Sequence, residues 1–345
     1  SFLTNNNISS SEVAISEIRV AGNGGGMLAE AFSANRPVDI VEQALKVTDV
    51  NGDGLFNGND YILFYAQGPH TFSYNSGGDR YDYAHNIYRD LNYYFINVNG
   101  GGKSPSPQAS LSNPQQQVNA FDDNVNLVGT GRQWFGDVFE FTLSYNYSFN
   151  FPNVITNEPV KLLVDVVGRS SSNNTVINTR YANQQILSNS IPAYQTFGDY
   201  PNFVERSQQR TSFLPQGANI TLNLSYDNSA NPSAVAWLDR VVLNVRRQLS
   251  FAGIANSLQF RDSRSVAAGN RIEYSISQPP PNLFIWDVTD VANIAEISGS
   301  YQTDGSYSFV ADASSLKEYV AFTGSNFNTP TYVEAIEAQN LHGMP

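Results

Sequence analysis

Apolar positions in this chain recur with a period of two, and almost nowhere with a period near 3.6. From 220 to 226, Ile220, Leu222, Leu224 and Tyr226 fall on one side and Thr221, Asn223 and Ser225 on the other. That alternation predicts a half-buried strand. Residues 161–167 are dense in Leu and Val, and 237–249 place Val241, Leu243 and Val245 on one side. Ile272, Tyr274 and Ile276 continue the pattern, followed by 284–288, 307–310 and 319–322. Earlier strands are expected at 15–21, 61–66 and 92–98. Helical spacing is confined to 38–47, after Pro37, and to 333–341. Residues 99–118 are Gly, Ser, Pro and Gln with little to bury, and predict a mobile or turn-rich connection. Residues 124–139, 195–202 and 261–270 are expected as long loops or sheet edges.

One open sheet cannot cover so many half-apolar strands, so two facing sheets are expected. The fold class is therefore mainly β: a small β-rich N-terminal domain over 1–123, an antiparallel, jelly-roll-like β-sandwich over 124–330, few short helices, and a linker over 331–345. No internal repeat is present. Trp286-Asp287 matches the strand end of some β-propeller repeats but occurs once, and a propeller needs the unit several times.

Composition narrows the function classes. The 345 residues contain no Cys, which excludes a disulfide framework, a thiolate zinc site and a cysteine nucleophile within them. The net charge of −12 argues against nucleic acid or an anionic membrane as partner. No apolar run approaches the roughly 18–20 residues of a membrane span. The chain opens at Ser1 without a signal peptide, as a mature or trimmed fragment would. Abundant Asn, Ser, Gly and Tyr suit an extracellular or periplasmic β-protein.

The strongest chemical motif is at 49–60. Asp49, Asn51 and Asp53 occupy positions 1, 3 and 5 of a twelve-residue calcium loop. Gly54 takes the turn at position 6, Leu55 offers its carbonyl at position 7, and Asp60 closes the loop at position 12. A hard cation needs oxygens converging from alternate short side chains, and this spacing supplies them. Asp at position 12 is shorter than the usual Glu. The same residues also describe a solvated Asx/Gly turn.

Other chemistry is thin. Gly22-x-Gly24 lacks its third glycine, since position 27 is Met27, and Gly102-Lys103-Ser104 has Asn97 where a P-loop needs Gly. No Gly-x-Ser-x-Gly elbow occurs. His70, His85 and His342 are too scattered for a metal spacing. The carboxylate pairs Asp122/Asp123, Asp137/Glu140 and Asp287/Asp290 could flank a glycosidase cleft, but nothing marks one out. Trp134, Trp237, Trp286 and the Tyr-rich 81–94 stretch could form a sugar platform, although each Trp sits in an apolar pattern that favours core packing.

Several segments, taken in order, carry a family resemblance. They are Gly24-Gly25-Gly26-Met27-Leu28, Asn35-Arg36-Pro37-Val38-Asp39, the run from Asn59 to Pro69, and Asn92-Tyr93-Tyr94-Phe95. They continue with the runs Gly131 to Asp137 and Trp237 to Arg247, then Ile285-Trp286-Asp287-Val288-Thr289-Asp290 and Gln339-Asn340-Leu341-His342-Gly343. The series resembles the region before the catalytic domain in PorU-type proteins. These are gingipain-related cysteine peptidases that act as the C-terminal-signal peptidase, or sortase, of the Bacteroidetes type IX secretion system. The resemblance implies a surface-associated processing enzyme whose Cys–His pair lies in a domain beyond Pro345, and no catalytic residue carries over to this chain. It also implies a supporting role here: packing on that domain, docking to outer-membrane secretion subunits, or presenting cargo. The alternative is a stand-alone carbohydrate-binding or adhesion module whose partner is a glycan.

Overall fold

The computed structural model describes residues 13–29, 31, 39–98, 100–118, 120–129, 135–194, 204–324 and 327–336. Among these the only helical turn is a short 3-10 turn at Ile15–Glu17, and the chain is nearly all β. The first strands are β1 (Arg19–Gly22), β2 (Val41–Gln43), β3 (Leu45–Thr48), β4 (Tyr61–Phe64), β5 (Thr71–Asn75), β6 (Arg80–Ala84) and β7 (Phe95–Asn97). They form an antiparallel sheet in the order β2-β1-β7 and two hairpins, β3-β4 and β5-β6. Ile18 and Phe56 are buried together against Val47, Ile62 and Ile96.

The helix expected over 38–47 does not form: among the described residues from 39 onward the segment holds β2 and the start of β3. The helical spacing there loses to pairing with β1, where Val20 stands opposite Gln43 and Gly22 opposite Val41. The buried Gln43 amide also donates to the Gly22 carbonyl at 3.0 Å, and such tertiary context routinely overrides helix propensity. In the second helical candidate, 333–336 has no helix, and 337–341 lies outside the described residues.

The segment expected as a loop at 99–118 holds two strands, β8 (Ser106–Gln108) and β9 (Gln116–Val118). The chain then passes through β10 (Ala120–Gly129), β11 (Val138–Phe139), β12 (Ser144–Asn150), β13 (Val160–Arg169) and β14 (Thr175–Tyr181). It continues with β15 (Gln184–Ile191), β16 (Glu205–Phe213), β17 (Asn219–Asp227) and β18 (Val235–Gln248). Two antiparallel sheets result, β10-β18-β13-β16 with β11 also on β18, and β12-β17-β14-β15. Between them lies a core to which Leu162, Val164 and Val166 contribute from one sheet and Ile220, Leu222 and Leu224 from the other. The alternation read at 220–226 is thus the inward face of β17. Residues 124–139, expected as a loop or edge, contribute most of β10 together with β11. The 195–202 segment lies outside the described residues.

The last strands are β19 (Ser257–Phe260), β20 (Arg271–Ile276), β21 (Phe284–Asp287), β22 (Ala295–Ile297), β23 (Ser300–Tyr301), β24 (Tyr307–Asp312) and β25 (Tyr319–Phe322). They make a second pair of sheets, β19-β25-β21-β22-β8 and β23-β24-β20-β9. β8 joins parallel to β22 and β9 parallel to β20. The second core gathers Phe260, Tyr274, Phe309 and Tyr319. One sandwich is expected over 124–330; the strands there divide between two cores. The first sandwich is inserted into the second, between β9 and β19. Its entering and leaving strands pair with each other, Ala120 opposite Gln248, and Leu249 already belongs to the second core.

The N-terminal strands pack on both sandwiches. Ala44, Leu63 and Tyr65 meet Trp286, Val320 and Phe322 on the outer face of the second. Lys46 lies 4.1 Å over the Phe284 ring and pairs with Glu296 at 2.8 Å. The β5-β6 hairpin sits on the first, where the Tyr81 N–H donates to Asn244 Oδ1 at 2.6 Å.

Candidate metal loop and fold comparisons

The calcium-like segment is the loop of the β3-β4 hairpin, and its local geometry follows from its residue types. Gly52 and Gly54 sit at φ +73° and +78°, which an L side chain rarely adopts. The Asp49 carboxylate accepts from the Gly52 N–H at 2.6 Å and from the Gly54 N–H at 2.8 Å. Asp53 accepts from the Leu55 N–H at 2.8 Å and from the Asn51 and Asn57 amides at 2.9 and 2.8 Å. These bonds, the Asn57 one foremost, hold the Asp53 carboxyl below its usual value. Asp60, 8% exposed, accepts from the Val50 and Asn57 N–H groups and so ties the loop's two ends.

All five sequence-predicted residues therefore share one loop. Leu55 bridges to Ala14, but the bridge uses the Gly54 and Val13 carbonyls and leaves the Leu55 carbonyl out. The donor set is all oxygen, which fits calcium in kind. Two amide N–H groups face Asp53 where a cation would otherwise neutralise it. Among the described residues, no three His, Cys, Asp or Glu side chains converge as metal ligands. Calcium binding would require the Asn51 amide to turn its oxygen inward. If it binds, calcium at a hundredfold over Kd is expected to raise stability by about 2.7 kcal/mol, and Asp53→Ala should abolish the shift. A melting curve unmoved by calcium, or moved equally in the variant, would remove the metal from this loop.

Of the other candidates, two histidines come together and the rest stand apart. His70 and His85 stack with ring centroids 4.5 Å apart, and the His70 Nδ1 accepts from the Asn86 N–H at 3.0 Å. Burial, then the neighbouring His85, lowers the His70 pKa; the pair braces the foot of the β5-β6 hairpin. Trp286 is buried and donates to Glu296 at 3.1 Å, so it offers no sugar platform. Trp237 is half-buried against Phe135. Trp134 lies outside the described residues. Asp287 and Asp290 accept from the backbone N–H groups two residues on, as turn residues do.

Sequence reasoning missed a charged network on the first sandwich. Asp165, wholly buried, binds Arg206 through Nε at 2.7 Å and through a second guanidinium nitrogen. It also accepts from Gln208 at 2.8 Å and pairs with Arg240 at 3.1 Å. Arg206 reaches on to Asp239 at 2.6 Å. The available signal was an acid in the middle of the Leu/Val run at 161–167.

This arrangement, nearly all β among the described residues, in which one sandwich interrupts another and a small β-rich part packs across both, is a PorU-like fold. Dimeric latent PorU from Porphyromonas gingivalis, a solved structure, superposes with a TM-score of 0.79 at 19% sequence identity over 99% of this chain. The match spans 32% of the PorU chain, about a third of its length. At this identity the likeness is one of fold. The delta-endotoxin Cry8Ea1 from Bacillus thuringiensis aligns with 66% of this chain and 41% of its own at 12% identity, but its TM-score of 0.25 carries no argument. No protein-family model and no curated protein sequence matches the chain.

Proposed function

We propose that this chain is the non-catalytic β region of a PorU-like, gingipain-related cysteine peptidase that processes cargo of type IX secretion at the cell surface. The observation that supports this most is the fold likeness to PorU over nearly the whole chain but only a third of that protein. A catalytic domain then belongs to the remainder of the longer protein, consistent with the absence of any Cys in these 345 residues. In this reading the region supports that domain and docks to outer-membrane secretion subunits or to cargo. Exposed Met27, Leu28, Tyr88, Leu91 and Tyr93 in the N-terminal part offer apolar surface for such contacts. Among the described residues no helix is long and apolar enough to cross a membrane, which says nothing of β-barrels.

The test compares the pure chain with the longer protein on a peptide copied from a cargo C-terminal signal. The longer protein is expected to cleave it and the isolated chain to leave it intact. Cleavage by the isolated chain would overturn the assignment of catalysis to the remainder.

A further inference from the structure

Strand register places an unusual set of side chains on the outer face of the first sandwich. Leu162, Val164 and Val166 of β13 enter the core, so Lys161, Leu163 and Asp165 face outward. Across the sheet, Lys161 stands between Ser212 and Asn244, Leu163 between Arg210 and Val242, and Asp165 between Gln208 and Arg240. Directly opposed residues share a face, so each row brings one cation outward over a floor of Leu163 and Val242. The β5-β6 hairpin walls one side. It is clamped by the Tyr81–Asn244 bonds and by Lys161 to Asp79 at 2.8 Å. The open cleft between them measures about 610 Å³.

Four cations line it, Arg80, Lys161, Arg210 and Arg240, and one acid, Asp82. Three of them are ion-paired, Lys161 to Asp79, Arg80 to Asp82 and Arg240 to Asp165, so the four cations and these three acids leave one positive charge on this face of a chain whose net charge is −12. Asp82 is already committed: it accepts from Arg80 Nε and from Asn75, each at 2.8 Å, and lies 3.6 Å from Arg210. Asp165 is shared among two arginines and a glutamine.

We propose that this cleft binds a small organic carboxylate, its anionic groups taken by Arg210, Arg240 and Arg80 and its carbon skeleton resting on Leu163 and Val242. Guanidinium forks suit carboxylate oxygens. The apolar floor calls for an organic body, as ligand pockets usually combine the two. The inference is independent of the proposed secretion role.

Titration calorimetry of the whole chain at low ionic strength, with isophthalate as probe, decides the matter. Saturable binding is expected, weakened severalfold by added salt. Uncharged benzamide should not bind, and inorganic phosphate should bind at least tenfold more weakly. Arg210→Gln, at a half-exposed side chain on β16, should weaken isophthalate binding tenfold or more, and Arg210→Glu should weaken it further. Arg271→Gln, outside the cleft, should change nothing. Absence of saturable binding, or binding that survives both Arg210 variants, would overturn the site. Phosphate binding as tight as isophthalate would overturn its organic character.

Discussion

Replacing Asp165 by alanine is expected to destabilise the chain by about 3–5 kcal/mol, the usual cost of removing one partner from a buried ion pair. The carboxylate is fully buried and is the shared acceptor for Arg206, Arg240 and Gln208. The three donors differ in what they lose. Arg206 has a side chain 53% exposed and a second partner in Asp239, so it returns to solvent cheaply. Arg240, 24% exposed, is left stranded on the sheet. The loss should therefore fall toward the lower end of the range. Asp239→Asn should cost far less. Burial first, then the Asp165 charge, raises the Asp239 carboxyl above its ordinary 3.8. A carboxyl raised in the folded state makes the fold bind protons more readily than the unfolded chain. Its contribution therefore falls as pH climbs from below 3.8 through the raised value. Urea unfolding at neutral pH reads both variants, and a loss under 1 kcal/mol for Asp165→Ala would show that the network is not a stabilising unit.

The sandwiches are legible in the sequence because their strands sort apolar from polar residues one by one: the alternation from Ile220 to Tyr226 is enough to assign a buried face. Strands β8 and β9 are not. Ser106 to Gln108 and Gln116 to Val118 have almost no apolar signal, and they are held by backbone pairing to partners far along the chain, Ser106 opposite Ala295 and Gln116 opposite Ile272. Tertiary pairing likewise overrode the helical spacing at 38–47. The loop at 49–60 could be located from its residue spacing, but the turning of its carboxylates onto its own N–H groups could not. The cationic cleft was invisible for a different reason. Its arginines and lysine lie at 80, 161, 210 and 240, each on the polar side of a strand, where sequence reads only solvent.

Phe260→Ala is expected to cost about 3–5 kcal/mol, the range for deleting a buried phenylalanine ring, and to spend that loss unevenly across the molecule. The ring is 2% exposed. It stacks on Tyr319 with centroids 5.4 Å apart, meets Tyr274 edge-on at 5.4 Å and lies 6.3 Å from Phe309. Those neighbours also pack on one another, so collapse into the vacated space would break further ring contacts rather than restore any. The residues of the second core are distinct from those of the first. The first sandwich is also closed at its base by β10 against β18, so it can hold its own sheets when the second loosens. Native-state hydrogen exchange should therefore speed up in β20, β24 and β25, and in β8 and β9, whose sheet partners among the described residues lie in that second sandwich. The amides of β13 and β17 should stay protected. Equal acceleration in both sandwiches would mean that the insertion joins them into one cooperative unit, and that the inserted sandwich depends on the frame that surrounds it.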